Sequence, residues 1–430
     1  MDYRELLPEI KDITIRQALE HAIEDHLLTA MRHAAYFGHF SVTSDGGHFG
    51  SQNTWPGLDS WEMAGAFLLL GKTQEVLSYF DYVRASQRDD GNVPFAIVPE
   101  DDVRLPEQRA DCFQGFRYPD DIFTYQQPDK GYPERQWIGL FFHWKPENPL
   151  SLLAPVSYIL TGAEIFAATG DGAWLKEQLP SLDRAGRYLL AQKSHNGLIS
   201  GAGFYTEVPP RHQWDGVAQC YCYKVFGDMA CLYGAIGAQD EANFWHAEAK
   251  ALRAAFNNQC WLYDRFAEYI HPEYGKVNWH GYTDTDWAAI AFGLATPEQA
   301  QKMWANMADD PGFWWGGLPT QTVTRPYGYR EWELGQPPSF HWGNGMLYDV
   351  AAMGRVWYLE VQACLAMKQT DRIRQSAHLV AEMGLAHGGK WFERYHALPY
   401  SKVIPAGPAG YCEYAAILTR TVLTNPELFT

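Results

Sequence analysis

The sequence predicts an all-α protein, an (α/α)6 toroid barrel whose long loops form a site at one end. Three observations lead there. Apolar residues recur at helical spacing in eleven segments of the 430-residue chain. Long stretches rich in Gly, Pro and aromatic residues fall between alternate segments, and such loops are uncommon in a compact domain unless they carry function. Hydrophobic residues make up 47% and charged residues 20% of the chain, which suits a large buried core.

The helical segments run in order along the chain. The first covers residues 16–37 with Ala, Leu and Ile at helical spacing. The second covers 60–88 and ends at the turn Asp89-Asp90-Gly91-Asn92. Segments 151–169 and 173–192 follow, the latter closed by His195-Asn196-Gly197. The remainder are 217–236, 240–258, 283–293, 297–308, 344–367, 371–386 and 410–424. The long stretches are 39–58, 91–150, 198–216, 259–282, 310–343 and 387–409. Short connections alternating with long ones describe six helical hairpins in a ring. One domain over 1–430 is expected, with 91–150 long enough to act as a lid.

Charge and cysteine content narrow the function. The formal net charge of −17 repels nucleic-acid phosphates and anionic membranes, which leaves a small neutral carbohydrate as the natural partner. The start Met1-Asp2-Tyr3-Arg4-Glu5 is charged, no apolar leader follows, and the longest apolar runs are too short to span a bilayer. Seven cysteines are an odd number, and Cys220 and Cys222 flank Tyr221 on a helix where they cannot bridge comfortably. A cytoplasmic protein is expected. Neither CxxC nor HExxH occurs, so no metal or other cofactor is expected.

Aromatic residues reach 15% of the chain, and flat rings stack on the apolar faces of sugars. The candidate site residues lie in or beside the long loops. Trp55, Asp59 and Trp61 surround one helix start, where Asp59 can bond vicinal hydroxyls or simply cap the helix. Arg211-His212-Gln213-Trp214-Asp215-Gly216 places an acid beside a Trp before the helix at 217, which points to Asp215 as a catalytic acid with Arg211 and Trp214 around the substrate. Trp391-Phe392-Glu393-Arg394-Tyr395 supplies a second acid, Glu393, and Glu413 at the last helix is its rival as base or a substrate ligand. Two carboxyls in different environments divide acid and base work. Gln136, Trp137, Trp287, Trp315, His341, Trp342 and Asn344 are further candidate substrate contacts.

Taken in order, these motifs resemble the (α/α)6 inverting α-glycosidases of the trehalase and processing α-glucosidase clan, glycoside hydrolase families 37 and 63. The matching residues are Asp59-Ser60, Gln87 with Gly91 and Pro94, Trp214-Asp215, and Glu393 with Tyr395. The resemblance covers residues 40–425 in patches. It implies an inverting, α-glucosidase-like α-glycosidase with Asp215 as general acid and Glu393 as general base, and the long 91–150 loop adds the expectation of a short, blind pocket and exo action on a small disaccharide or glycoside. Leu58 rather than Trp precedes Asp59, and Gly216-Val217-Ala218 follows the acid where the clan carries Ser, Asp or Arg. His341-Trp342-Gly343-Asn344-Gly345 also departs from the clan pattern, which puts the sugar in question.

Two other readings use the same ring of helices. A sugar 2-epimerase of the N-acylglucosamine type needs His bases, for which His341, His387 and His396 are candidates. A non-catalytic carbohydrate-binding barrel needs no acid pair.

Overall fold

The computed structural model describes residues 3–31, 40–44, 54–99, 122–126, 136–141, 150–201, 203–205, 210–317, 320–326, 329–333, 351–397 and 403–430. Twelve α-helices occur among them: α1 Ile13–His21, continued by a π-helical stretch Ala22–Leu27, α2 Leu58–Leu69, α3 Thr73–Arg84, α4 Leu153–Thr169, α5 Gly172–Ala191, α6 Gly216–Ala235, α7 Gln239–Cys260, α8 Asp284–Ala291, α9 Pro297–Met307, α10 Gly354–Ala366, α11 Thr370–Leu385 and α12 Glu413–Thr424.

The even-numbered helices form an inner ring. Each packs on the next, from α2 to α4 and onward to α12, and α12 returns to α2. Composition explains their place. Helices α2, α4 and α6 are apolar or small on nearly every face, so they can be surrounded by other helices. The odd-numbered helices α5, α7, α9 and α11 bury one stripe and present charges on the other side. Their starts are fixed locally: Asp171 accepts from Ala173 and Trp174 N–H to cap α5, and Thr296 with Gln299 forms a capping box on α9 behind Pro297. This arrangement of six hairpins fits an α/α toroid.

Every long loop leads from an outer helix to the start of an inner one, so the inner-helix N-termini share one end of the ring. Three small antiparallel sheets stiffen that end. The first joins β1 Ala96–Pro99, β3 Gln136–Leu140 and β2 Ile122–Gln126 within the expected lid stretch. The second joins β4 Trp214–Asp215, β5 Tyr269–His271 and β6 Gly275–Val277. The third joins β7 Ala351–Met353, β8 Phe392–Ala397 and β9 Val403–Ala409. Bridges from Thr43 to Tyr411, Thr54 to Ile97, Thr283 to Val323 and Gln321 to Ala352 tie neighbouring loops together.

Three element boundaries differ from the sequence reading. The segment 60–88 is two helices, because Leu70-Gly71-Lys72 turns the chain with Gly71 at φ 73°. The helix expected from 344 begins at Gly354 after a short strand, and 344–350 lie outside the described residues. The last helix starts at Glu413 rather than 410, after the turn that ends β9. No disulfide joins the six described cysteines, Cys220 and Cys222 among them. No helix among the described residues is long and apolar enough to cross a membrane.

Candidate active site

The first turns of the inner helices supply the site. Asp59 opens α2, Asp215 caps α6, Asp284 opens α8, Arg355 opens α10 and Glu413 opens α12. Because these N-termini face one end of the ring, residues distant in sequence meet there. The positive ends of the helix dipoles favour acidic side chains at such positions.

Asp215 is held in extended geometry by the pairing of β4 with β5, and one carboxylate oxygen accepts from Val217 N–H at 2.9 Å. The other oxygen, Oδ2, has no hydrogen-bond partner among the described residues although the side chain is buried. The following residue must be glycine for packing: a Cβ on Gly216 would come within 2.5 Å of Thr285 Cγ2 and 2.7 Å of the Glu268 carbonyl oxygen. That close approach sets Asp215 beside the start of α8.

A buried charge network surrounds it. Arg211 lies 2.9 Å from both oxygens of Asp284 and 2.9 Å from Glu268 Oε1, but 4.0 Å from Asp215. His280 bonds Glu268, and Glu333 accepts from Tyr269 at 2.8 Å and Trp279 at 2.9 Å. Two cations, Arg211 and His280, therefore face four carboxyls, and geometry decides which of them stay ionised. Burial would raise Glu268, but His280 and Arg211 pull it below the usual carboxylate range. Burial would keep His280 neutral, but the Glu268 charge raises it to about 10. Asp215 lies farthest of the three acids around Arg211. Burial pushes its carboxyl up to about 7 against the pull of Arg211, with Asp284 adding to the rise. Burial raises Asp284 as well, opposed by Arg211 and by the hydrogen bond donated by Tyr205.

Asp286 provides a contrast. Burial raises it to about 7 too, but its oxygens accept from Phe266 N–H at 2.9 Å and Thr283 N–H at 3.0 Å. It is a capping residue with no oxygen to spare, whereas Asp215 keeps one.

A second cluster lies on the α2, α10 and α12 side. Arg355 bridges Asp59 Oδ1 at 2.8 Å and Glu413 Oε1 at 2.6 Å, and its backbone N–H donates to Glu413 at 2.8 Å. Tyr411 donates to the second Asp59 oxygen at 2.7 Å. Burial raises Glu413 to about 7, opposed by Arg355 and reinforced by Asp59. The ring of Tyr205 lies 5.5 Å below the Arg355 guanidinium while its hydroxyl bonds Asp284, so Tyr205 joins the two clusters.

Glu393 approaches the second cluster from the β8–β9 hairpin. The register shifts between Phe392 and Arg394, placing Glu393 at a bulge that re-aims its side chain. Opposite it Gly407 has φ 81°, and a Cβ there would come within 2.5 Å of the Glu393 carboxylate. The carboxylate accepts from Arg394 Nη1 at 3.0 Å and acts electrostatically on Tyr411, the partner of Asp59.

Of the residues expected at the site, Asp59, Asp215, Glu393 and Glu413 are joined by these contacts. Arg211 is there too, but fully buried against carboxylates rather than open to a sugar, because three acids surround its guanidinium. Trp61 and Trp287 are corrected to core residues: Trp61 Nε1 donates to Glu164 with Arg420 4.9 Å over its ring, and Trp287 packs on Trp304 and Phe313. Trp55 is half-buried against Phe95, and Trp214 is half-buried with Nε1 on Ser194 Oγ at 3.0 Å. Gln136 and Trp137 occupy β3 opposite Gln126 and Tyr125, and Trp315 lies in the 3-10 turn Pro311–Gly317. His341, Trp342 and Asn344 lie outside the described residues. His387 bonds the Met383 carbonyl at the end of α11, and His396 is buried on β8.

Sequence reasoning missed Glu62, Tyr205, Glu268, His280, Asp284, Glu333 and Arg355. Glu62 had a signal, standing three residues after Asp59 on the same helix face. Asp284 stands two residues before Asp286 at a helix start. Glu268 and His280 had none, since they meet only when the β5–β6 hairpin folds.

Comparison with known proteins agrees with this architecture. Residues 155–311 match the family model of the bacterial alpha-L-rhamnosidase 6 hairpin glycosidase domain. No curated protein matches the sequence. Among solved structures, a GH78 family rhamnosidase of Bacillus sp. GL1 is 15% identical with TM-score 0.58, over 97% of this chain and 35% of that one. A rhamnosidase from Klebsiella oxytoca with rhamnose bound is 12% identical with TM-score 0.60, over 98% of this chain and 65% of that one. A variant described as a glycosidase in complex with glucose is 11% identical with TM-score 0.60, over 98% of this chain and 100% of that one. The chain thus spans less than two thirds of either rhamnosidase. These matches do not single out the trehalase and processing α-glucosidase clan. Residues 155–311 are thus similar to a 6 hairpin glycosidase domain, and the chain shares the fold of these solved structures.

Proposed function

We propose that the protein is an inverting, exo-acting α-glycoside hydrolase for a small disaccharide or glycoside. The observation that carries this reading is Asp215, a buried carboxyl with one oxygen capping α6, the other unpartnered, and a proton retained up to about pH 7. A general acid must hold its proton near the working pH and present it to the leaving oxygen. The base has the opposite requirement. Glu393 is the candidate for it, since its carboxylate pairs with Arg394 and its side chain retains partial exposure for water. Glu413 is buried and shared with Arg355, which suits holding substrate or Arg355 rather than activating water.

In the proposed reaction Asp215 protonates the glycosidic oxygen as Glu393 removes a proton from water attacking the opposite face of the anomeric carbon. Such a single displacement requires carboxyls roughly 6.5–9.5 Å apart. Asp59 and Glu413 would hold hydroxyls; most of the 91–150 stretch expected as a lid lies outside the described residues. The likeness to the trehalase clan favours an α-glucoside; the match of residues 155–311 to the rhamnosidase domain favours an α-L-rhamnoside as the second reading. A panel of aryl and disaccharide α-glucosides and α-L-rhamnosides tests both. Turnover of one class, abolished by Asp215→Asn and Glu393→Gln, is expected. An epimerised sugar, or tight binding without turnover, would overturn the proposal.

A further inference from the structure

Glu62 lies one helical turn beyond Asp59 on α2, fully buried, and neither of its carboxylate oxygens has a hydrogen-bond partner among the described residues. Burying a carboxylate without a partner is costly, so the group requires a proton, water or a cation. Its surroundings distinguish these. Glu413 Oε2, on α12, is likewise buried and unpartnered, as is the hydroxyl of Tyr221 on α6, which lies in the electrostatic field of Glu62, Arg355 and Glu413. Glu62 and Glu413 thus carry three unpartnered carboxylate oxygens, and the Tyr221 hydroxyl is a fourth unpartnered oxygen within their electrostatic influence.

Oxygen atoms of Asp59, Glu62 and Glu413 lie within 4.8 Å of one another. Two ligands on opposite sides of a calcium ion are separated by about twice its 2.3–2.6 Å bond length, so one ion can touch all three. The charges also match. Three carboxylates face Arg355, and the nearby Arg420 is already paired with Glu164 at 2.6 Å. Ionised, the cluster has two negative charges left over, which a divalent ion cancels. The donor set holds only oxygen, which disfavours zinc, and a buried site retaining few waters disfavours magnesium.

We propose that Asp59, Glu62 and Glu413, with the Tyr221 hydroxyl, form a calcium site just inside the barrel mouth that ties α2, α6 and α12 together. Arg355 keeps Glu413 Oε1 and the ion takes Oε2. No local spacing announces this site, because its ligands come from distant helices. It does not depend on the glycosidase reading.

The test uses the full chain after chelator treatment, titrated with CaCl2 by calorimetry and with Tb3+ by luminescence excited through the aromatic residues. One calcium ion per chain is expected, with Tb3+ emission displaced by calcium and Tm raised by calcium. Glu62→Gln should lose the one-per-chain event and the Tm response, whereas the exposed Glu427→Gln should keep both. Tyr221→Phe should weaken binding. Absence of stoichiometric binding to the wild type, or equal binding by Glu62→Gln, overturns the site and leaves a proton or water on Glu62. If Glu62→Gln does not fold, Glu62→Asp replaces it: a Tm indifferent to calcium in both wild type and Glu62→Asp is equally contrary.

Discussion

Asp215→Asn should inactivate the protein and stabilise it at the same time. The rise of the native carboxyl from its ordinary value to about 7 spans roughly three pH units, or about 4 kcal/mol at about 1.4 kcal/mol per unit. The native pKa lies above the unfolded one, so the folded chain holds a proton that the unfolded chain has lost. That contribution is fully present below about pH 4 and is lost as pH rises to about 7. Asparagine can keep the cap to Val217 N–H without ever ionising. The variant should therefore exceed the wild type by about 2–4 kcal/mol at pH 8, the gap closing towards pH 4. Other buried acids raised to about 7, Glu413 and Asp286, titrate in both proteins and cancel in the difference. Denaturant unfolding of both proteins at several pH values measures the gap, and turnover should fall about 10²- to 10⁴-fold. A gap independent of pH, or a variant less stable at pH 8, would refute the claim that Asp215 holds its proton in the fold.

Gly407→Ala should displace Glu393, since the added methyl carbon meets its carboxylate at 2.5 Å and φ 81° strains alanine; turnover should drop at least about tenfold while far-UV dichroism is unchanged. Arg355→Met should cost about 3–5 kcal/mol in denaturant unfolding, because it leaves Glu413 and Asp59 without their bridging cation. His280→Gln should remove a stabilisation that in the wild type is full below about pH 6.5 and lost as pH rises through about 10, seen as a flatter stability profile across that window. Glu413→Gln should raise KM more than it lowers kcat if Glu393 is the base, and steady-state kinetics separates the two.

Much of the fold was legible because inner and outer helices differ in kind. The long loops announced themselves by Gly, Pro and aromatic content, and each leads into an inner helix. The turn at Gly71 was missed because apolar spacing runs on through Leu68, Leu69 and Leu70 into the next helix, masking a three-residue connection. Asp215 and Glu393 stood out through their aromatic neighbours. Those neighbours have different jobs: Trp391 is buried with Nε1 on the Val380 carbonyl, and Trp214 bonds Ser194. Arg355 was invisible because its meaning comes from Asp59 and Glu413, hundreds and tens of positions away, which meet it only when the ring closes. Excess aromatic content was a weaker guide than it looked, since Trp61, Trp245, Trp287, Trp357 and Trp391 are all buried.

The most direct test of the central claim is the configuration of the sugar at the moment of release, followed by proton NMR on the best small α-linked substrate. If Asp215 and Glu393 act across the mouth in one displacement, the β-anomer should appear first and mutarotation should mix the two later. If the α-anomer appears first, the reaction runs through a covalent intermediate with carboxyls about 5–5.5 Å apart, and the assignment of Glu393 as a base acting through water is contradicted.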